Sequence, residues 1–320
     1  MSKLKIAVAA VLLLITVLSG CALGEPSKPA KTPDINPKAE AANKVTSNVT
    51  LYYCYRKQNL LAAETRKIDV PVSKTLEEAV IQAIISGPSA DRDELGGLFW
   101  SGVELVSVSS NGDILFVTLS SEFISTDPSE AALEEGTTPD QKKLAIYSIV
   151  NTLVELGKYS QVQIEVARDS STETGGRITR GEAGWKDNPQ TYLEPLTREA
   201  KLILTPENTL TEALECFAYK DWTGLYNFTA YNSPDGTVKP DINAFSSALS
   251  SNVASLEGYN VTSANVSYDG RTAVVMLDYS VRTKADDIIK QVSKPVIMVR
   301  NNDIWALSYT SLVNILVNVG

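Results

Sequence analysis

A cysteine placed directly after an apolar run is the residue of this sequence whose position most clearly indicates chemistry. Cys21 follows the run IAVAAVLLLITV and the small residues Ser19 and Gly20, and two lysines precede the run. A basic start, an apolar stretch and small residues before a cleavage site are the parts of a secretory signal. The run has 12 residues, whereas a membrane-spanning helix needs about 20. The sequence therefore predicts that residues 1–20 are a signal peptide.

The tetrad Leu-Ser-Gly-Cys that ends at Cys21 resembles the bacterial lipobox. This resemblance implies that the Cys21 thiol attacks a lipid, receives diacylglycerol and palmitate, and becomes the first residue of a mature lipoprotein. Two or more acyl chains hold a protein stably on a membrane. The implied location is the extracytoplasmic face of the cell membrane, with the membrane itself as a partner through the lipid on Cys21. The alternative is an uncleaved anchor with an incidental cysteine.

The composition excludes several classes of function. The chain has 320 residues, enough for two domains, and it contains no histidine. The absence of histidine removes Ser-His-Asp and Cys-His catalysis and histidine-ligated zinc. The net charge is −9 and falls to about −11 when the two lysines of the signal are lost, which argues against nucleic acid as a partner. We expect no cofactor, no metal and no catalytic residue.

Besides Cys21, the sequence has two cysteines, Cys54 and Cys216. They lie in different predicted domains. Outside the cell they could form a disulfide, and two buried thiols are the other interpretation. Two cysteines alone cannot build a thiolate metal site.

Proline and polar residues divide the chain. Residues 21–47 contain four prolines and almost no large apolar residue, which predicts a disordered tether. Residues 168–199 are polar and rich in glycine and predict a loop or an interdomain arm. In this arm, Arg168, Arg177 and Arg180 could bind an anion or could lie in a solvated loop.

Residues 48–167 predict alternating strands and helices. The strand NVTLYYCY comes first, and Thr75 and Glu78 then form a capping box that opens an amphipathic helix. Asn111 and Gly112 join two strands as a hairpin turn. A second amphipathic helix and the strand VQIEV follow. The predicted order is β-α-β-β-α-β.

Residues 200–320 predict a second α+β domain of a different plan. Thr205 and Pro206 open one helix, a short helix follows, and a third is predicted from Asp241 to Leu256. The predicted strands then cover 259–267, 272–282, 294–300 and 303–309, with turns at Asp269-Gly270 and Asn301-Asn302. Three helices followed by strands indicate an α+β domain with an antiparallel curved sheet.

The first of these domains resembles a GerMN domain, a module of sporulation and germination lipoproteins. The resemblance rests on the segments VTLYY, IISGPS, GDILFVTLSSEFI and LAIYSIVNTLVELGKYSQVQIEV. It implies a fold similar to the ring-building modules of trans-envelope assemblies in Gram-positive, endospore-forming bacteria. The implied role is protein binding without catalysis, with other envelope proteins as partners, in a homo-oligomer or a hetero-oligomer.

The second domain resembles the nuclear transport factor 2-like family in the segments TPENTLTEALECFAYKDWTGLYNFT and DIWALSY. Members of that family include isomerases and binding modules. The resemblance implies an alternative function, in which the C-terminal domain binds or isomerises a small molecule. Asp221 would then act as base and Tyr219 or Tyr226 as proton donor. The competing interpretation is that Asp221 caps a helix while the tyrosines pack.

Overall fold

The computed structural model describes residues 44–56, 58–125, 138–168, 175–250 and 253–317. Within these ranges eleven strands form three sheets and six helices pack against them, so the predicted α+β class is confirmed. Cys21, the predicted signal and the tether up to residue 43 lie outside the described residues. The strand that opens the fold begins at Lys44, so residues 44–47, which composition assigns to the tether, are strand.

The first sheet has the strand order β2-β1-β3. Its elements, with the helix that follows, are β1 (Lys44–Tyr55), β2 (Leu61–Pro71), α1 (Leu76–Ser86) and β3 (Leu95–Gly96). Strands β2 and β3 were not predicted. β2 carries charged residues at four of its 11 positions and contains a buried Glu64, so neither composition nor simple alternation indicates a strand there.

The boundaries of α1 follow the predicted signals. The Thr75 side chain accepts a hydrogen bond from the backbone of Glu78, and the Glu78 carboxylate accepts one from the backbone of Thr75, which is the predicted capping box. Gly87 ends the helix with φ 91° and ψ 177°. This region of backbone space is accessible almost only to glycine, so Gly87 sets the direction in which the chain leaves α1.

The second sheet has the order β4-β5-β6-β7. Its elements are β4 (Leu105–Asn111), β5 (Ile114–Ser120), α2 (Thr138–Glu155), β6 (Gln161–Ala167) and β7 (Gly176–Arg177). β4 and β5 form the predicted hairpin, but its turn residues are Gly112 and Asp113, one position later than predicted. Gly112 has φ 60°, a positive value that favoured two-residue turns require there. β5 and β6 pair in parallel, and α2 makes the crossover between them.

The segment after β6 belongs to this sheet. β7 pairs with β6, Leu196 bridges to Val162, and Ile178 and Leu193 are fully buried. Trp185 packs on Tyr147 of α2, with the two rings 5.9 Å apart. The described part of the predicted polar arm, residues 175–199, is therefore bound along the first domain, because a few apolar residues at wide spacing are enough to attach it.

The C-terminal part has one sheet in the order β11-β10-β9-β8. Its elements are α3 (Pro206–Ala218), α4 (Trp222–Phe228), α5 (Ile242–Leu249), β8 (Val253–Val266), β9 (Thr272–Thr283), β10 (Ile288–Asn301), β11 (Ile304–Leu307) and α6 (Tyr309–Leu316). All neighbouring strands pair antiparallel, as predicted. Thr205 caps α3 and Pro206 occupies its first turn.

Three predictions about this part are wrong in detail. The third helix ends at Leu249 and not at Leu256, because the chain from Val253 onward pairs with β9. β10 begins at Ile288, six residues before its predicted start, with an irregular register near Ser293 that obscures the alternation. The residues after β11 form α6, where a strand was predicted to continue to 309.

The β10–β11 turn lies one residue later than predicted, at Asn302 and Asp303. Both residues have positive φ, 46° and 64°, as a type I′ hairpin turn requires. This turn contacts the first part of the chain: the Asp303 carboxylate accepts a 2.8 Å bond from the backbone of Thr65, and Arg92 donates to the carbonyl of Asn302. From Val45 onward the chain forms one compact unit.

Candidate functional site

The three residues that could have formed an isomerase-like site do not converge. The Asp221 carboxylate accepts a 2.9 Å bond from the backbone of Gly224 and caps α4. Tyr219 is 83% exposed. Tyr226 packs edge-on against Phe245, with the ring centres 5.2 Å apart. The geometry supports capping for Asp221 and packing for Tyr226, whereas the exposed Tyr219 does not fit the packing interpretation.

Lys239 is a buried cation that the sequence did not single out. Its Nζ donates to the carbonyls of Tyr226 at 2.8 Å and Thr229 at 2.6 Å, and it lies 3.7 Å from the centre of the Tyr226 ring. Among the described residues, no carboxylate forms an ion pair with it. Burial, and secondarily Arg56, lower the pKa of Lys239 to about 8.

The two carbonyls that hold Lys239 explain its position. They belong to the last turn and the C-cap of α4, where helix carbonyls lack intrahelical donors and carry partial negative charge. Lys239 therefore supplies hydrogen-bond donors to the carbonyls at the C-terminal end of α4. Nothing in its sequence neighbourhood, VKPD, indicates this role.

A buried carboxylate clamps the loop after α1, which carries the SGPS motif. Glu64, 3% exposed, accepts two bonds of 2.8 Å from Arg66 and further bonds from the backbone and hydroxyl of Ser89. Arg66 also donates to the carbonyl of Gly87 at 3.2 Å. Burial alone would raise the pKa of Glu64, but the bonds from Arg66 and Ser89 outweigh it and lower the pKa.

These contacts of Glu64 with Arg66 and Ser89, which we call the clamp, explain the structural role of the SGPS motif. Gly87 supplies the unusual backbone conformation, and Ser89 supplies two donors to the buried carboxylate. The motif was recognisable in the sequence, whereas its partners Glu64 and Arg66 lay in a strand that was not predicted. The arrangement stabilises a loop and exposes no group that could act on a substrate.

The three arginines of the arm are each paired, which argues against the anion site. Arg168 bonds Glu182 at 2.9 Å, Arg177 bonds Glu194 at 2.9 Å, and Arg180 bonds Asp187. The bond from Arg168, despite partial burial, contributes most to lowering the pKa of Glu182 to about 2. Each pair joins two residues of the arm, so the pairs hold parts of the arm together. They also leave little net positive charge that could attract an anion.

No disulfide joins Cys54 and Cys216, and each of the two is half-buried. Burial, followed by the charges of Asp221 and two glutamates of α3, raises the pKa of Cys216 to about 11. A thiol with this pKa is protonated at neutral pH and is therefore a poor nucleophile and a poor metal ligand. Among the described residues, no group of three Cys, Asp or Glu side chains is arranged to hold a metal ion.

Other acidic residues that could be considered for calcium binding or catalysis, Asp235, Glu122, Glu130, Glu134 and Glu135, have local roles, lie in an exposed turn or lie outside the described residues. Asp235, in the polar stretch NSPDGTVKPD, accepts bonds from the backbone of Thr237 and the hydroxyl of Thr310, so it joins its loop to α6. Glu122 lies in an exposed turn after β5, and Glu130, Glu134 and Glu135 lie outside the described residues.

A groove runs beside β1, on the side away from β2. It encloses about 480 Å³. Its lining residues are Ser47, Asn48, Val49, Thr50, Leu76, Thr152, Glu155 and Leu156. Three other cavities in the described part of the chain enclose 210, 300 and 320 Å³, and none of these four is lined by Asp221. The groove is the largest of the four and follows the edge of a strand.

No helix in the part of the chain that the structure describes has both the length and the apolar character that a membrane crossing needs. Cys21 and its apolar run lie outside that part, so the predicted lipid attachment stays a prediction.

Comparison with known proteins finds two solved structures with low similarity to this chain. No curated protein matches the chain. The tandem GerMN domains of the sporulation protein GerM from Bacillus subtilis are 16% identical with a TM-score of 0.32, over 54% of this chain and 51% of that one. A candidate lipoprotein from Clostridium perfringens is 18% identical with a TM-score of 0.26, over 50% of this chain and 91% of that one. The chain thus spans about half the length of the tandem GerM structure.

The comparison with protein families gives the bounds of its match. The matched residues are 50–168, which begin within β1 and end just after β6. This range agrees with the predicted GerMN-like domain, residues 48–167, to within two residues at either end. It contains the SGPS loop with Glu64 and Arg66, and Thr50, Leu76, Thr152, Glu155 and Leu156 of the groove, whereas Ser47, Asn48 and Val49 precede it. Residues 50–168, 119 of the 320 in the chain, match the Germane family, which is described as "Sporulation and spore germination".

Proposed function

We propose that this protein is a non-catalytic assembly module of the bacterial envelope, anchored by lipid on Cys21 at the extracytoplasmic face of the cell membrane and acting in sporulation or germination. The observation that carries the proposal is the match of residues 50–168 to the Germane family. The partners we propose are other envelope proteins, reached through surfaces of the first domain.

The side chains of the described part favour binding over catalysis. Two buried charged groups make hydrogen bonds that stabilise the fold. Glu64 accepts bonds from the loop after α1, and Lys239 donates to carbonyls at the C-terminal end of α4. The thiol of Cys216 is held protonated by burial. A catalytic site needs a titratable group presented to a cavity, and the residues named for that role, Asp221 and Tyr226, are used in capping and packing.

For the C-terminal part, residues 200–320, we propose a nuclear transport factor 2-like domain that serves as a second binding surface. Three helices before a four-stranded antiparallel sheet are compatible with that architecture. We propose it as a binding module because fold resemblance alone does not carry the isomerase activity of some members.

The test of the proposal compares the anchored and the freely diffusing protein. Anchoring raises the concentration of a module near membrane-bound partners without adding a contact. We expect a form exported with an ordinary cleavable signal and lacking Cys21, at matched abundance, to complement a deletion strain poorly in spore formation or germination. The control is Cys54→Ser, which leaves the anchor intact. Full complementation by the diffusing form would contradict a membrane-proximal role.

Lipid attachment is measured separately in the same strains. A fatty-acid probe should label the full chain and the Cys54→Ser variant, and it should not label Cys21→Ala. Labelling of Cys21→Ala at the level of the unchanged chain would contradict the assignment of Cys21.

A further inference from the structure

We propose that the C-terminal part of the chain, residues 200–320, caps the free edge of β2 and thereby keeps this edge from pairing with a strand of another molecule. The inference goes beyond the proposed function, because it gives the C-terminal part a role inside the chain and closes one edge of the first domain to partners. It rests on the direction of the backbone groups of β2, on what they contact, and on where charged residues lie along the strand.

The backbone of β2 directs alternate residues away from β1. The carbonyl of Leu60, just before β2, accepts a 2.9 Å bond from the N–H of Tyr55 in β1. Because these directions alternate along a strand, the odd-numbered residues from Leu61 to Asp69 point their N–H and C=O groups to the other side. β2 is the last strand of its sheet on this side. Such an edge is a template to which an extended segment can add.

The C-terminal part contacts this edge at two places. The carbonyl of Leu61 accepts a 2.9 Å bond from the N–H of Leu204, and Leu61 forms a parallel bridge with Ile203. These three side chains are buried. Further along, the N–H of Thr65 donates to the Asp303 carboxylate at 2.8 Å. The segment before α3 and a side chain of the β10–β11 turn thus take the place of a neighbouring strand.

Two contacts fix the β10–β11 turn against the first part of the chain. They are the bond from Thr65 to Asp303 and the bond from Arg92 to the carbonyl of Asn302, and we call them the latch. Arg92 is 9% exposed, and its guanidinium also bonds Glu94 at 2.8 Å, which holds it in position. Both turn residues are therefore tied to the first domain.

Charged side chains protect the rest of the edge. After the latch, the outward-directed residues of β2 are Lys67 and Asp69, both exposed, and Pro71 ends the strand. Charge and proline are common means by which edge strands avoid pairing. The outward-directed residues of the capped half, from Leu61 to Thr65, are uncharged. Protection by charge begins where cover by the C-terminal part ends, as expected if the whole edge has to stay closed.

The two kinds of protection predict how the edge opens. Loss of the latch should free the N–H of Thr65 and leave the Lys67 ammonium to oppose a second strand. Loss of the charge alone should have no effect, because the cap still occupies the edge. Loss of both should let two copies of the chain associate through β2.

Hydrogen exchange at the Thr65 amide, read by fragmentation mass spectrometry on the full chain, tests the latch. Asp303→Gly removes the carboxylate and gives the turn the sequence Asn-Gly, which a type I′ turn favours. We expect the Thr65 amide to exchange about tenfold faster, the factor that corresponds to the loss of one hydrogen bond. Asp303→Asn is the matched control, because it keeps an oxygen acceptor and should exchange as slowly as the unchanged chain. Equal exchange in the two variants would overturn the latch.

Sedimentation of the same proteins in one detergent tests the protection against pairing. We expect Arg92→Met combined with Asp303→Gly and Lys67→Thr to give about fivefold more dimer than the unchanged chain. Lys67→Thr alone, and the two latch substitutions without it, should stay near the unchanged chain. In the triple variant, exchange at Thr65 should slow as the protein concentration rises, because a second copy then covers its N–H.

The amides of α1 report whether a variant is folded. If the triple variant exchanges fast throughout α1, Asp303→Gly with Lys67→Thr replaces it, since this pair leaves Arg92 in place. A folded variant that shows an open Thr65 amide but forms no additional dimer would overturn the cap as protection against pairing. A dimer in which the Thr65 amide stays unprotected would do the same, because the copies would then meet elsewhere.

These measurements require neither lipid on Cys21 nor spore formation, so they are separate from the tests of the proposed function. Failed labelling or full complementation by the diffusing form would contradict anchoring and leave the cap intact. A latch that does not control exchange at Thr65 would contradict the cap and leave the anchored assembly module intact.

Discussion

Glu64 in the first part of the chain and Lys239 in the second are both buried ions, and their surroundings differ in kind. Glu64 faces a guanidinium, a hydroxyl and a backbone N–H. Lys239 faces two carbonyls and an aromatic ring, with no carboxylate partner among the described residues. The pKa of Glu64 is therefore lowered, and its carboxylate stays ionised. The pKa of Lys239 is lowered too, but for a lysine a lowered pKa means that the charged form is disfavoured.

The difference shows how a buried charge contributes to stability. A bidentate partner of opposite charge offsets desolvation, so removing one member leaves the other unpaired and costs much. Carbonyl dipoles offset the cost of desolvation less completely, so the charged form of Lys239 is less stable in the protein than it would be in water. Glu64 should thus stabilise the fold at neutral pH, and Lys239 should stabilise it more once it has lost its proton.

Removing Glu64 should have the largest effect. Glu64→Ala leaves Arg66 without its carboxylate and frees two donors of Ser89, and we expect a loss of about 2–4 kcal/mol in the free energy of unfolding. Urea unfolding at pH 7 measures the change. Glu257→Ala is the control, since its pair with Arg282 is partly exposed and should matter little. A loss no larger than that of the control would contradict the clamp.

The same clamp predicts a dependence on pH. The pKa of Glu64 is lower in the folded than in the unfolded protein, so its contribution is present above the ordinary pKa and is lost as the pH falls through the folded value. The difference in unfolding free energy between the unchanged chain and Glu64→Ala should therefore shrink below about pH 4.5. A difference that is constant down to pH 3 would show that the carboxylate is not held in its ionised form.

Gly87→Ala should have an intermediate effect. Gly87 has φ 91° and ψ 177°, and a Cβ added there meets only a backbone carbon at 4.0 Å, so the cost is conformational and not steric crowding. We expect a loss of about 1–3 kcal/mol. Gly96→Ala is the matched control, because its added Cβ also lies at ordinary contact distance, 3.9 Å from Cys54, without a positive φ. Equal losses in the two variants would contradict a special role for the backbone of Gly87.

The sequence predicted the elements whose signals are local. The capping box of Thr75 and Glu78, the hairpin at Gly112 and the cap of α3 by Thr205 are all confirmed. Each depends on residues within four positions of one another, so the pattern and its physical cause lie in the same short segment. The family resemblance of the first domain depended on such segments and is confirmed for residues 50–168.

The elements that the sequence did not predict depend on distant partners. β2 is a strand because β1 pairs with it, and its buried Glu64 accepts a bond from the backbone of Ser89, 25 residues away. Helix α5 stops at Leu249 because β8 pairs along β9, a contact that local periodicity cannot show. The candidate sites follow the same rule: Lys239 lies 10 residues from one of its acceptors and 13 from the other. Tertiary contacts override local preference at these places.

The titration of Lys239 should have the smallest effect, and its sign is opposite to that of Glu64. The folded protein releases this proton near pH 8, whereas the unfolded chain keeps it to about 10.5. Between these values the unfolded state binds more protons, so stability rises with pH. Relative to Lys239→Met, the unchanged chain should gain about 1–2 kcal/mol over this window. The control replaces an exposed lysine, Lys290→Met, and should show no such gain.

The comparison between variants also cancels the contribution of the tyrosines, whose raised pKa values act on stability in the opposite direction above pH 10. A flat difference from pH 7 to 11 would mean that the carbonyls of Tyr226 and Thr229 hold the charged lysine as well as a carboxylate would, and the contrast between the two buried ions would disappear.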